Sequence, residues 1–330
     1  MLFGAFSYAY STNLGDEIQT LSASQYLPRI DVLIERDRLH WYRNYPEIFV
    51  VFNGWFNHQP CWPPPDSISP LFVAFYAAHP NELIDKRFAS YFKRYEPIGC
   101  RSFETMEAFH KIGVDAYFSG CLTLTLEREA VARTNQVYAV DVDPEMYGKL
   151  VPDQIKRQAV RLTHEEVPSD FTLFNKAKWA AAYFGLRGLY KWESGASMLR
   201  GAGEKLNKMR HAARVTMARE LLKRYSSAKL VITSRLHCAL PCVAFGTPVI
   251  LLRRGIESDP RFAGLRQLVR YHSDPSQPIK IDWEAPEPNP MTYLSFAKEL
   301  RTRCEEAAKL HSNANVPLPH LSAEAASLTE

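Results

Sequence analysis

Short apolar runs alternate with amphipathic stretches along the first 125 residues of the chain. The apolar runs are almost continuous, which is typical of strands covered on both faces. Between two of them, Phe103–Ile112 has apolar residues at helical spacing, with Ser102 as a candidate N-cap. The alternation of strand and helix predicts a parallel, doubly wound sheet. Its predicted strands are Leu2–Tyr8, Val32–Glu35, Ile48–Asn53, Phe72–Tyr76, Ile98–Arg101 and Ala116–Phe118.

A polar segment around Glu127-Arg128-Glu129 ends this series, and the same alternation then begins again. Two successive series predict an α/β protein with two Rossmann-like lobes and a cleft between them. We place the N-terminal lobe at residues 1–128, the C-terminal lobe at 129–290, and a C-terminal helix and tail at 291–330. The later predicted elements are strands at Val137–Val142, Ala159–Thr163, Lys229–Thr233 and Val249–Leu252, and a helix at Leu206–Tyr225.

The composition of the 330 residues excludes several classes of protein. Hydrophobic residues make up 46% and charged residues 23%, which excludes a mainly disordered or fibrous chain. No run of about eighteen apolar residues occurs, so we expect no spanning helix, and the N-terminus does not resemble a signal peptide. A net charge of +4 is too small to predict nucleic-acid binding. We therefore expect a cytoplasmic location.

The six cysteines predict neither a metal site nor a redox motif. They contain no CxxC pair, and no cluster of Cys and His has the spacing of zinc ligands. Several lie in apolar segments, such as Cys238 and Cys242, which is typical of reduced, buried thiols. We expect no metal and no cofactor.

The first candidate site residues follow the first predicted strand. Asn13, Gly15 and Asp16 lie between that strand and the next helix, at the sheet edge where open α/β folds bind ligands. Gly15 lets a ligand approach the backbone closely, and the free N–H groups at a helix start favour an anion. The alternative is a simple turn with a helix cap, because the segment is neither GxGxxG nor a P-loop.

Two arginines and a histidine lie after later strands. Arg101 presents a guanidinium fork that suits a carboxylate or a phosphate. The segment Ser234-Arg235-Leu236-His237 follows another strand and precedes a very apolar stretch. Arg235 there requires an anionic partner, since burying an unpaired cation is costly, and His237 can exchange a proton near neutral pH. The alternative is a structural role, with each arginine tied to an Asp or Glu.

Taken together, these segments resemble the polysaccharide pyruvyl transferase family. The resemblance covers most of residues 1–270 in order, and the two long motifs at 96–126 and 228–250 make it specific. Asp259-Pro260-Arg261-Phe262 is similar to a further family element. The matching stretches are NLGDEIQTLSASQYLP at 13–28, NGWF at 53–56, EPIGCRSFETMEAF at 96–109, YFSGCLTLTL at 117–126 and AKLVITSRLHCALPCVAFGTPVI at 228–250.

The resemblance implies a fold, a reaction and a set of site residues. The implied fold is GT-B-like, with the site in the cleft between the lobes. The implied reaction moves a pyruvyl group from phosphoenolpyruvate to a sugar of a surface polysaccharide or its lipid-linked precursor, forming a ketal. His237 is then the candidate acid/base, and Arg235 the second candidate catalytic residue. The candidate substrate-binding residues are Arg101, Asn13, Gly15, Asp16, Ser234 and Leu236.

The sequence departs from the family pattern at two places. Ser102 stands where a carboxylate is usual, so it can cap a helix but cannot act as a charged partner. Residues 171–203 fit the pattern poorly and are assigned to a variable insertion. Two alternatives stay open: a GT-B glycosyltransferase that uses a nucleotide sugar, and a non-catalytic binding protein on the same fold.

Basic and aromatic residues are concentrated between Phe171 and Tyr225. From Lys205 to Arg224, seven basic residues accompany the single acid Glu220. This combination is typical of helices on an anionic membrane surface, where a lipid-linked acceptor would be presented. One interpretation is a peripheral contact at the inner membrane surface, and the other is a helix pair packed on the C-terminal lobe.

Overall fold

The computed structural model describes residues 1–57, 62–166 and 197–313, with side chains described except at 197–206 and 313. Within these ranges the chain forms two parallel β-sheets covered by helices, so the α/β prediction is confirmed. Residues 171–196 of the proposed insertion lie outside the described residues, as do Cys61 and the tail from 314.

The first sheet is built from six strands of the N-terminal part of the chain. They are β1 (Leu2–Ser7), β2 (Val32–Glu35), β3 (Ile48–Phe56), β4 (Ile68–Ala77), β5 (Ile98–Cys100) and β6 (Ala116–Phe118). Their order is β2-β1-β3-β4-β5-β6, and each neighbouring pair is parallel. All six predicted strands are present, and β3 and β4 are longer than the apolar runs indicated.

The second sheet is built from five later strands. They are β7 (Val137–Val140), β8 (Ala159–Leu162), β9 (Leu230–Thr233), β10 (Val249–Leu252) and β11 (Arg270–His272). Their order is β11-β10-β9-β7-β8, again with parallel pairs. The pattern did not predict β11, because three residues that include Arg and His carry no apolar signal. The domain limits at 128 and 290 stay predictions.

Helices connect and cover these strands. They are α1 (Leu14–Ser24), α2 (Pro80–Leu83), α3 (Ala89–Lys93), α4 (Phe103–Lys111), α5 (Pro144–Leu150), α6 (Asp153–Gln158), α7 (Ser197–Ser227), α8 (Leu236–Ala244) and α9 (Leu294–Asn313). Ser102 caps α4, since its hydroxyl accepts a hydrogen bond from the Thr105 N–H at 3.2 Å. Its hydroxyl also donates to Thr105 Oγ1 at 2.9 Å. Ser102 therefore acts as the helix cap expected from the sequence.

The C-terminal helix α9 returns to the first sheet. Its residues Leu300 and Cys304 are fully buried beside Phe3, Phe49 and Val51, which lie on β1 and β3. Burying apolar side chains of this size contributes about 1.5–3 kcal/mol each. The helix therefore stabilises a sheet whose strands come from the other end of the chain.

Ion pairs join α7 to Glu17 of α1 and to Glu166, which follows β8. Arg214 is only 1% exposed and donates to Glu17 Oε1 at 2.7 Å and to Glu166 Oε2 at 2.8 Å. Arg210 binds Glu166 as well, with Nε 2.9 Å from Oε1. Of the seven basic residues that suggested a membrane surface, Arg214 is thus buried and Arg210 is partly buried, because their acidic partners come from distant parts of the chain.

Other basic residues of α7, such as Lys208, Arg219 and Lys223, are exposed, and the membrane contact stays a hypothesis. In the described ranges, no helix combines the length and the apolar character needed to cross a bilayer.

Candidate active site

A cavity of about 370 Å³ lies where the carboxyl ends of strands from both sheets meet. This is the edge at which open parallel sheets bind ligands, and the volume suits a small molecule. Gly15 lies beside it, and a Cβ there would be 3.3 Å from the Cβ of His237. The other residues proposed from the sequence line the cavity: Asn13, Asp16, Arg101, Ser234, Arg235, Leu236 and His237.

Arg101, directly after β5, is a buried cation in the cavity wall. It is 2% exposed, and its Nη1 donates to Gln19 Oε1 at 2.7 Å and to His237 Nε2 at 3.1 Å. Its guanidinium lies 5.0 Å from the centre of the Tyr76 ring. Among the described residues, no carboxylate forms an ion pair with it. Burial lowers the pKa of this guanidinium, yet an arginine stays charged.

His237, in the first turn of α8, is held as a neutral ring. An arginine can only donate, so the contact with Arg101 makes Nε2 the acceptor and leaves the proton on Nδ1. Burial and then the charge of Arg101 hold the pKa of His237 well below its usual value of 6.5. The imidazole is therefore unprotonated at neutral pH, and Arg101 occupies the nitrogen that could accept a proton.

Arg235, the N-cap residue of α8, also lines the cavity, but its charge is already matched. Its Nε is 3.0 Å from Asp141 Oδ2, and its Nη2 is 2.9 Å from Glu165 Oε1. Asp141 has a left-handed backbone with a φ of 44°, and the same oxygen accepts the His164 N–H at 2.9 Å. Arg235 thus has the ion pairs with Asp and Glu that a structural role requires. Its role in binding substrate stays a prediction.

The start of α8 adds uncharged donors to this wall. The first N–H groups of a helix have no partner within it, and those of Leu236 and His237 are in this position. Ser234 is fixed beside them by a short hydrogen bond from its hydroxyl to the Asp141 carbonyl. This part of the cavity can therefore receive an anion.

The loop between β1 and α1, together with the first turn of that helix, brings a carboxylate to the cavity. Asn13 caps α1 by accepting the Gly15 N–H at 3.0 Å. Asp16 is 7% exposed and accepts the Ser11 hydroxyl at 2.5 Å. Gln19 links this carboxylate to the cation, because its Nε2 is 3.4 Å from Asp16 Oδ1 and its Oε1 binds Arg101.

Helix α7 holds this loop from behind. Arg214 donates to the carbonyls of Ser11 and Asn13 at 2.7 and 3.0 Å, and Arg210 donates to that of Ala9 at 2.7 Å. The position of Asp16 thus depends on the buried ion pairs described above. Sequence reasoning missed this dependence.

A second pair of arginines, from the segment that follows β10, lines the cavity. One carboxylate, Asp259, binds both: Arg261 Nη2 at 2.6 Å and Arg253 Nη2 at 3.1 Å. Burial alone would raise the pKa of Asp259, but the hydrogen bonds and charge of Arg261 outweigh it and lower the pKa. The carboxylate therefore stays ionised and keeps both cations in place.

In the part of the chain that the structure describes, no group of three or more His, Cys, Asp or Glu side chains is arranged to hold a metal ion. That the reaction needs no metal stays a prediction.

A family model described as polysaccharide pyruvyl transferase matches residues 13–255, well over half of the chain. The chain belongs to the polysaccharide pyruvyl transferase family. The protein is accordingly a transferase, and the cavity residues from Asn13 to Arg253 fall within the matched segment. Arg261 lies just beyond it.

Other comparisons add little to the family assignment. No curated protein matches the chain significantly. One similar solved structure is a functionally uncharacterised protein from Klebsiella pneumoniae subsp. pneumoniae NTUH-K2044, with 9% sequence identity and a TM-score of 0.40. The similarity covers 82% of this chain and 93% of that chain.

Sequence reasoning found the strand-end residues of this pyruvyl transferase but missed their supports. Gln19 occupies an ordinary helix position in the sequence, and Asp141 is the next-to-last residue of a predicted strand. Only Asp259 and Arg261 carried a signal, as part of the family-like element at 259–262, and no role followed from it.

Proposed function

We propose that this enzyme transfers the pyruvyl group of phosphoenolpyruvate to a sugar of a surface polysaccharide or of its lipid-linked precursor. The observation that carries the proposal is Arg101, a buried cation without a carboxylate partner among the described residues. Burying a charge costs several kcal/mol unless an opposite charge compensates it. A substrate anion supplies that compensation, and phosphoenolpyruvate has both a carboxylate and a phosphate.

The proposed donor site lies between Arg101 and the start of α8. Arg101 offers a charged fork, and the N–H groups of Leu236 and His237 offer uncharged donors. Arg235 contributes less positive charge than the sequence suggested, since Asp141 and Glu165 already bind it. Its contribution is to shape the wall and to present its remaining N–H groups.

The reaction balances without a cofactor. The methylene carbon of the donor gains a proton, which gives an oxocarbenium-like carbon. One sugar hydroxyl adds to this carbon, phosphate leaves, and a second hydroxyl closes the cyclic ketal. Two sugar hydroxyls each lose a proton. One of these protons is balanced by the proton gained by the new methyl group, and the other by the proton gained by the released phosphate.

His237 is the proposed proton carrier. A donor anion at Arg101 competes for the guanidinium proton that now points at His237 Nε2. The nitrogen can then bind a proton, and the imidazolium delivers that proton to the methylene carbon and takes one back from the hydroxyl that adds. The negative charge of the donor also offsets that of Arg101, which raises the pKa of His237 toward neutrality and suits proton transfer.

The acceptor is proposed to approach from the side of Asp16. This buried carboxylate can accept a hydrogen bond from a sugar hydroxyl and orient it toward the donor carbon. We also propose that the two sheets form GT-B-like lobes around this cavity, and that exposed basic residues of α7 bring the enzyme close to a lipid-linked acceptor. Reversing the charges of Lys208, Arg219 and Lys223 should then reduce sedimentation with anionic liposomes at low salt.

The test is phosphate release from phosphoenolpyruvate with candidate glycans. Wild type should release phosphate only with an acceptor, and His237→Ala should lose turnover while still binding the donor. His110→Ala, a change to an exposed histidine near the end of α4 that does not line the cavity, is the matched control and should retain activity.

A thermal-shift screen separates the alternatives. Stabilisation by UDP- or GDP-sugars and not by phosphoenolpyruvate would indicate a glycosyltransferase. Donor binding without turnover on any glycan would indicate a binding protein.

A further inference from the structure

Residues after β10 build a compact basic structure at the cavity. Asp259 caps the 3-10 helix Pro260–Phe262 by accepting the Arg261 N–H at 3.1 Å. The same carboxylate accepts from Arg261 Nε at 2.9 Å and from the Nη2 atoms of Arg261 and Arg253. Both arginines are therefore oriented by one side chain.

The ring of Phe262 supports both guanidinium groups. It is 3% exposed, and the central carbons of Arg253 and Arg261 lie 5.0 and 5.9 Å from its centre. In the described residues, the Nη1 groups of both arginines have no hydrogen-bond partner, and both side chains line the cavity. Because these two side chains are already held in place, little conformational entropy is lost when a ligand binds to their free N–H groups.

The charge balance differs between the cavity arginines. Two arginines share Asp259, whereas Arg235 has two carboxylates to itself. Arg261 is also close enough to His237 to lower its pKa, as Arg101 does. Arg253 and Arg261 thus have one ionised carboxylate between them, an excess of one positive charge, whereas the charge of Arg101 is partly offset by the nearby Asp16.

We propose that Arg253 and Arg261 form a phosphate-binding subsite, separate from the contacts of Arg101. A phosphate anion balances the positive charge that Asp259 leaves uncompensated on this pair, and its oxygens match the fork of an arginine. The phosphate belongs either to the donor or to a phosphate-linked acceptor. Only this choice of source rests on the proposed function, since the subsite itself is built from charge and geometry.

Binding calorimetry with inorganic phosphate tests the subsite on the full-length protein. Arg253→Gln and Arg261→Gln should each weaken phosphate binding by about 10-fold or more, the loss expected for one charge-assisted contact. Arg254→Gln is the matched control, because Arg254 is the next residue but pairs with Asp143 and Glu145 at the surface. Arg261→Lys should be intermediate, since it keeps the charge and loses the fork. Thermal unfolding of each variant verifies that it is folded.

Two more ligands identify the source of the phosphate. If the donor supplies it, Arg261→Gln weakens binding of phosphoenolpyruvate but not of pyruvate, which lacks the phosphate. If the acceptor supplies it, the variant weakens binding of pyrophosphate and leaves that of phosphoenolpyruvate unchanged. Either result supports the subsite.

Equal phosphate affinity in wild type and both glutamine variants, or no phosphate binding by wild type, would overturn the subsite. Loss of phosphate binding in the variants of a protein that never releases phosphate from phosphoenolpyruvate would support the subsite and refute the proposed function.

Discussion

Replacing Arg101 with Met tests whether this arginine binds substrate or stabilises the fold. Met has a similar length and no charge, so the change removes the guanidinium and leaves little empty space. Arg101 is among the largest fully buried side chains, and most buried arginines are needed for stability. Here we expect the opposite combination: weaker donor binding and an almost unchanged fold.

The magnitudes follow from the contacts. Loss of a charge-assisted hydrogen bond to the donor costs about 1.5–3 kcal/mol, or about 10- to 150-fold in the dissociation constant of phosphoenolpyruvate. For the fold, removal of the buried cation relieves a desolvation penalty of several kcal/mol. Against this, Gln19 Oε1 and His237 Nε2 each lose a donor, at about 1–3 kcal/mol apiece. The two effects nearly cancel, so the free energy of unfolding should change by less than about 2 kcal/mol.

The assay combines calorimetry with phosphoenolpyruvate and urea unfolding. Arg94→Met is the control, since Arg94 is a surface arginine that pairs with the exposed Asp66. It should change neither quantity appreciably. Unchanged donor affinity in Arg101→Met would refute the substrate role, and a loss of stability above about 3 kcal/mol would make Arg101 a structural residue.

Three other substitutions test the buried charges. Arg214→Met should lower the free energy of unfolding by about 3–5 kcal/mol in urea titrations, because Glu17 and Glu166 lose their buried cation. A decrease of less than about 1 kcal/mol would contradict this expectation. His237→Gln should make the free energy of unfolding less sensitive to acid. The pKa of His237 in the folded protein lies below 6.5, so wild type loses stability as the pH falls below that value. Parallel curves of unfolding free energy against pH for the two proteins would contradict the lowered pKa. Glu35→Gln should stabilise the protein relative to wild type, and increasingly so from pH 5 to 8. Burial and the nearby Asp37 raise the pKa of Glu35 to about 8, so wild type loses stability as the pH rises toward that value. A difference in unfolding free energy that does not change with pH would contradict the raised pKa.

The sequence predicts what each strand end carries, because apolar runs mark the strands and a parallel sheet places their ends at one edge. Arg101 and His237 are found in this way, although 136 positions separate them. Their partners follow no local pattern: Gln19 is 82 positions from Arg101, and Asp141 is 94 from Arg235. Such pairs are fixed by packing of helices and strands, which periodicity does not encode.

The same limit explains the helix α7. Along the chain, Arg210 and Arg214 belong to a basic stretch with one acid, a pattern that favours a charged surface. Arg214 pairs with Glu17 across 197 positions, so the local charge count gave the wrong environment for it. Charge patterns along a helix predict its exposed face only when no distant acid is buried against it.

The central claim is that the cavity at the strand ends of both sheets binds phosphoenolpyruvate through Arg101. A crystal structure of His237→Ala with the donor tests it most directly, since this variant should bind without turnover. We expect a carboxylate or phosphate oxygen within about 2.7–3.2 Å of the Arg101 guanidinium and close to the first N–H groups of α8. Phosphoenolpyruvate bound outside this cavity, or inside it with no contact to Arg101, would contradict the account.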